Sequence, residues 1–232
     1  MKLRDIGSVR PAATSLALAC ALLCGSASAQ IRTDGSVGAA QALQGPAYTI
    51  PQSLGRLAGA NLFHSFAQFS VGSGESATFT TDSAGIANVI GRVTGGSPSQ
   101  IDGTLRLSAA AGAPALYFIN PAGVAFGAGA VVDVPGALHL ATADYLKFPD
   151  GRLYADPARA SSFSSAPPEA FGFLGGQRAT LALRDEAFAR TRQGQPLTLA
   201  AGDIVVDGAV AAVAGGGEIG RASCRERVCW IV

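Results

Sequence analysis

Apolar residues in this chain come in short runs, each closed by Gly, Asn, Asp, Ser or Pro. Ala77-Thr78-Phe79, Ile86 to Ile90, Leu105-Arg106-Leu107, Leu116 to Ile119, Val131 to Val134 and Leu138-His139-Leu140 form one series. Leu181-Ala182-Leu183, Leu197-Thr198-Leu199, Ile204-Val205-Val206 and Val210 to Val213 continue it, with Gly-Asp or Asp-Gly turns between the last three. Runs of this length read as strands, and their spacing suits a stacked β-solenoid or a sandwich. No repeat of fixed period accompanies them, so the pattern leaves both architectures open. Between Lys147 and Gly176 the series lapses into Pro157, Pro167, Pro168 and the run Ser161-Ser162-Phe163-Ser164-Ser165. Similar strands flank that stretch, which predicts an extra-core loop or hairpin and no domain boundary.

Composition agrees with an all-β reading. Of 232 residues, 48% are hydrophobic and 14% charged, with Gly 30 and Met 1, poor material for long amphipathic helices. Lys+Arg 17 against Asp+Glu 16 gives no strong field of either sign, so no nucleic-acid partner is expected.

The two ends differ from the middle. Lys2, Arg4 and Arg10 precede an apolar run from Ala12 to Leu23 and a small-residue stretch, Gly25-Ser26-Ala27-Ser28-Ala29. This predicts a signal peptide over 1–29, cut between Ala29 and Gln30 by signal peptidase after export by the Sec machinery. The apolar run is too short to span a bilayer, which takes about 20 residues. At the other end, 218–232 gathers Arg221, Arg225, Arg227, Cys224, Cys229 and Trp230. Glu218 to Val228 resembles the translation of a short-read sequencing adapter, so natural sequence is expected to stop near Gly217 and the protein to continue beyond it. Without its ends the chain has no cysteine and so no disulfide framework.

Two blocks are richer than strand-and-turn composition requires. In Asn120-Pro121-Ala122-Gly123, an Asx side chain, a Pro that presets φ and a Gly at the fourth place fit a type I turn between buried strands. In Gly59 to Phe69, Phe63, Phe66 and Phe69 recur at intervals of three, which fits a helical face or a bulged edge strand. Asn61 and His64 then either satisfy backbone groups or form a surface that a partner reads.

These residues carry a family resemblance. Asn61-Leu62-Phe63-His64-Ser65-Phe66, Ile86 to Gly96, Ile101-Asp102-Gly103, Phe118 to Gly127 and Ala141 to Leu146, in that order, resemble the filamentous haemagglutinin N-terminal domain of two-partner secretion systems. The likeness runs from about Ile31 to Gly217, which makes 30–217 the expected domain. Ala122 stands where the family usually has a second Asn, and Gly59-Ala60-Asn61-Leu62 comes nearest to a further Asn-Pro-Asn-Leu motif.

The resemblance implies a right-handed parallel β-helix with an N-terminal cap and small antiparallel extra-core strands. It also implies a secretion-targeting and folding-nucleation role in a large adhesin-like protein of a Gram-negative bacterium. POTRA domains of a cognate outer-membrane barrel would bind the chain in the periplasm and pass it unfolded to the cell surface. Asn61, Leu62, Phe63, His64, Phe66, Asn120, Pro121 and Gly123 would be the recognition or folding motif. A host-cell or glycan ligand would be met through the downstream region.

Two other readings stand beside this one: a self-contained host- or carbohydrate-binding β-helix, and a β-helical polysaccharide-active enzyme. For the enzyme, Asp203 with Asp207 and Asp185 with Glu186 are the close carboxylate pairs. The first pair reads as turn residues, and the second would point apart on an extended chain. No catalysis is therefore expected. His64 and His139 lack partners at ligand spacing, so neither metal nor cofactor is expected.

Overall fold

The apolar runs do form strands, and the strands stack in register. The computed structural model describes residues 30–176, 179–192, 194–213, 218–220 and 228–231; the predicted leader, with Ala29, lies outside them. Apart from one 3-10 turn, Gln52–Leu54, the named elements are all strands.

A front sheet runs through Asn61–Phe69, Asn88–Val93, Ala115–Ile119, Leu138–Ala141 and Leu197–Ala200, each parallel to the next. A back sheet runs through Ala47–Pro51, Ser76–Thr81, Thr104–Ala109, Val131–Asp133, Phe188–Thr191 and Val210–Val213, also parallel. A narrow third sheet takes Ser99–Ile101, Val124–Phe126, Thr180–Arg184 and Asp203–Asp207. Successive coils visit the sheets in turn, giving an all-β solenoid of about six turns. The sandwich alternative falls because neighbouring strands are parallel and one coil apart, which no hairpin can connect.

Stacking builds the core column by column. Leu62, Val89, Leu116, Leu138 and Leu197 face inward at one level of the front sheet, all fully buried. Phe66, Phe69, Phe79 and Phe118 fill the space between front and back, with the Phe66–Phe69 and Phe69–Phe118 centroids 5.0 and 4.9 Å apart. Rings in edge-to-face contact at this spacing add to plain apolar burial.

Register also explains why no period was legible. Asn61 lies beside Asn88, 27 residues on. The later coils differ in length: Leu138 stacks on Leu116 only 22 residues before it, and an antiparallel leaf is then inserted between Leu138–Ala141 and Leu197–Ala200. The leaf comprises Tyr145–Phe148, Gly151–Tyr154 and Ala170–Gly172, and it begins at Tyr145 rather than the expected Lys147.

Phe63, Phe66 and Phe69 lie on neither a helix nor an edge strand. Asn61–Phe69 is paired on both sides: parallel to Asn88–Val93 on one, antiparallel to Ile31–Thr33 and Arg56–Ala58 on the other. Those two short strands cap the front sheet and cover its first edge. The bulge is real: Thr33 faces Phe66 while Arg32 faces Gln68, which leaves Ala67 as the extra residue. Phe63 therefore points away from the core that holds Phe66, and the bulge brings Phe69 back into it. Gly95 accommodates the bulge, since a Cβ there would run into the Ala67 carbonyl oxygen.

Past the last coil, Glu218–Gly220 pairs antiparallel with Val210–Val213, and Val228–Ile231 pairs antiparallel with Leu197–Ala200. Gly217, the expected last natural residue, and residues 221–227 and 232 of the expected adapter-derived tail lie outside the described residues.

Candidate functional site

The first motif sits where three parts of the fold meet. On its strand Leu62, His64 and Phe66 face the main core, while Asn61, Phe63 and Ser65 face the leaf or the cap. Phe63 packs edge-on against Phe148 and Phe163, centroids 6.0 and 5.3 Å away, and so anchors the leaf. Asn61 Nδ2 donates to the carbonyls of Ser164 and Ala166, at 2.9 and 2.7 Å, and its Oδ1 accepts from Asn88 Nδ2 at 2.8 Å. The Asn–Asn step passes one hydrogen-bond requirement from coil to coil and ends it on the leaf.

The second motif is a turn that also holds the coil before it. Gly123 N donates to Asn120 O at 3.0 Å, and Ala122 N donates to Asn120 Oδ1 at 3.0 Å, which closes the expected Asx turn. Gly123 has φ +124°, a conformation that favours glycine. Asn120 Nδ2 reaches across to Ser97 O at 3.0 Å and Ser99 Oγ at 2.9 Å. Ala122 needs only its backbone here, so the departure from a second Asn leaves these contacts intact.

A third cluster was not singled out in the sequence. Arg92, 3% exposed, donates to Ser65 Oγ at 2.8 Å, Ser36 Oγ at 2.9 Å, Ser161 Oγ at 3.1 Å and the Tyr154 carbonyl. Asp34 accepts from Ser65 Oγ at 2.6 Å, from Ser36 N and Oγ at 2.8 Å and from Thr94 Oγ1 at 2.8 Å. Burial pushes the Asp34 carboxyl up, but these hydrogen bonds together outweigh it and leave it below its ordinary value. Arg92 thus ties cap, front sheet and leaf together. Its one signal in the sequence is being the only charge between Ile86 and Val93.

Among the motif residues Asn61, Leu62, Phe63, His64, Phe66, Asn120 and Gly123 are buried, and Pro121 alone is half-buried. His64 is the odd member. It lies 5.4 Å from the Phe79 ring, and neither of its ring nitrogens has a hydrogen-bond partner among the described residues. Burial pushes its pKa down to about 4.

A base whose folded pKa is depressed leaves the unfolded chain binding more protons between that value and about 6.5. Stability therefore falls as pH drops through this window, by on the order of 3 kcal/mol for this group alone. His64→Leu is expected to raise stability at pH 7.5 by about 1 kcal/mol, because an unsatisfied polar ring leaves the core. It also flattens the fall between pH 6.5 and pH 4.5, which urea midpoints at the two pH values measure. An unchanged pH slope would contradict this environment for His64.

The two carboxylate pairs are neighbours through Asp207 at one end of the third sheet, where Asp185 N donates to the Asp207 carbonyl at 3.1 Å and Glu186 N to the Gly208 carbonyl at 3.0 Å. Asp203 and Asp207 stand exposed at the two ends of one strand. Asp185 and Glu186 adopt left-handed φ values of 53° and 69° in an exposed turn, so the extended-chain condition does not apply to them.

A family model described as the TPS secretion domain matches residues 29–228. Comparison with curated proteins finds no match. The matched span takes in the cap, the coils, both motifs and the leaf. The chain therefore belongs to the two-partner secretion (TPS) domain family, whose members mark exported proteins for a cognate outer-membrane transporter.

Proposed function

We propose that this chain is the address and folding seed of a larger adhesin-like protein, read by the POTRA domains of its transporter while still unfolded. A leader removed between Ala29 and Gln30 takes it through the Sec machinery into the periplasm of a Gram-negative bacterium. The POTRA domains pair with extended segments around Asn61 to Phe66 and Asn120 to Gly123, with backbone pairing giving affinity and side chains giving register. Outside the cell the same residues close the first coils, and host-cell or glycan binding falls to the downstream passenger. The reading takes the domain as 30–217 and the segment 218–232 as foreign sequence.

The observation that carries this reading is the burial of His64 without a partner among the described residues. A buried polar ring with no hydrogen bond costs the fold stability. Its place in the motif makes sense if the unfolded chain uses it. A solenoid also suits surface folding, because each emerging coil finds a finished one to stack on.

The test separates recognition from folding. His64→Leu in a secreted fragment is expected to lower surface yield severalfold while periplasmic export stays unchanged and the purified fold is more stable. Unchanged or higher surface yield would remove His64 from recognition.

A further inference from the structure

Phe63, Ile90, Tyr117, His139 and Thr198 form an outward column on the front sheet, one residue per coil. The leaf lies on the Phe63 end of this column. At the other end, where the column changes from rings to the short Thr198, a cavity of about 370 Å³ opens between sheet and leaf. That volume lies in the range of small-molecule sites. Tyr117 and His139 stack at 4.1 Å with 18° between their planes, and Phe171 of the leaf stands 6.2 Å from Tyr117 at 50°. His139 Nδ1 shares a hydrogen bond of 3.0 Å with Thr198 Oγ1, which fixes the imidazole plane.

The cavity therefore has an aromatic corner. Among the described residues, its one lining side chain of formal charge is Glu169, exposed and paired with Lys147 at 2.7 Å. Burial pushes His139 down to about 4, so at neutral pH its ring offers a face without a positive charge.

We propose that this cavity binds a flat aromatic or heteroaromatic molecule bearing an ammonium group. The ring stacks within the corner of Tyr117, His139 and Phe171, and the ammonium meets Glu169. Aromatic faces attract a cation. An exposed ion pair such as Lys147–Glu169 holds weakly, so the ligand's ammonium can displace the lysine. None of the residues lining the cavity belongs to the two motifs, so ligand binding there is separate from transporter recognition.

Titration of the full chain with tryptamine, indole and indole-3-acetate, followed by calorimetry and saturation-transfer NMR, tests the proposal. Tryptamine is expected to saturate a single site and to bind at least about tenfold more tightly than indole-3-acetate, with indole between them. Glu169→Gln, an exposed change, erases that order while leaving indole binding as it was. Lys147→Met strengthens tryptamine binding, and Phe171→Ala weakens all three probes. Absence of saturable binding overturns the proposal, as does a probe order that Glu169→Gln leaves unchanged. Binding of methyl pyranosides in preference to tryptamine overturns it as well.

Discussion

Arg92→Ala is expected to lower unfolding stability by about 3–5 kcal/mol, because it strands several acceptors around a buried guanidinium at about 1–3 kcal/mol for each one left unsatisfied. The side chain is 3% exposed and bonds to Ser36 of the cap, Ser65 of the first front strand, and Tyr154 and Ser161 of the leaf region. Truncation leaves the Tyr154 carbonyl without its charged donor and removes the counter-charge facing Asp34. A lysine does not restore the network, because a single ammonium cannot present the planar fork that reaches Ser65, Ser36 and Tyr154 together. Arg92→Lys should therefore recover less than half of the loss. Urea unfolding at pH 7 measures both variants, and limited proteolysis between Ser161 and Pro167 should speed up in both as the leaf loosens. A loss under about 1 kcal/mol for Arg92→Ala would show the cluster to be a screened surface network.

Asn120→Ala is expected to cost about 3 kcal/mol and to cut surface yield of a secreted fragment far more than its export to the periplasm. Asn120 is fully buried, and alanine leaves Ser97 O, Ser99 Oγ and Ala122 N each short of a partner. An unsatisfied buried group costs about 1–3 kcal/mol, and because Ser99 is buried, Ala122 half-buried and Ser97 exposed to water, Ser99 Oγ carries most of the loss. Asn120→Asp isolates the two halves of the role. It keeps the acceptor for Ala122 N but sets a carboxylate oxygen against the Ser97 carbonyl, so it should be no better than alanine. Equal stability of the Asn120→Asp variant and the native chain would mean that the turn alone, without its link to Ser97, closes this coil.

How much was legible in sequence depended on how many faces of each strand are covered. Leu105-Arg106-Leu107 announced itself because Leu105 and Leu107 are buried while Arg106 is exposed. Asn61 to Phe66 did not, because the main core takes one face and the leaf or the cap takes the other. A strand buried on both sides loses the alternation that marks strands.

Turn chemistry at Asn120 to Gly123 could be read locally, since it rests on the residues of the turn itself. The bonds from Asn120 to Ser97 and Ser99 could not, because coil register sets them. The spacing of Phe63, Phe66 and Phe69 misled for a similar reason. One interval spans two faces of a strand and the other spans the bulge at Ala67. Arg92 stood in plain view as a lone charge in an apolar run, but its partners Ser36 and Ser161 are brought to it only by the cap and the leaf.

The central claim is that the transporter reads this domain before it folds. The direct measurement is the affinity of the POTRA domains of its transporter for residues 30–217, first freshly diluted from urea and then after folding is complete. The account predicts saturable binding to the unfolded chain, weakened by Asn61→Ala and His64→Leu, and its loss on the time course of folding as these side chains become buried. Equal binding to the folded domain would contradict it and place recognition on an exposed face of the solenoid.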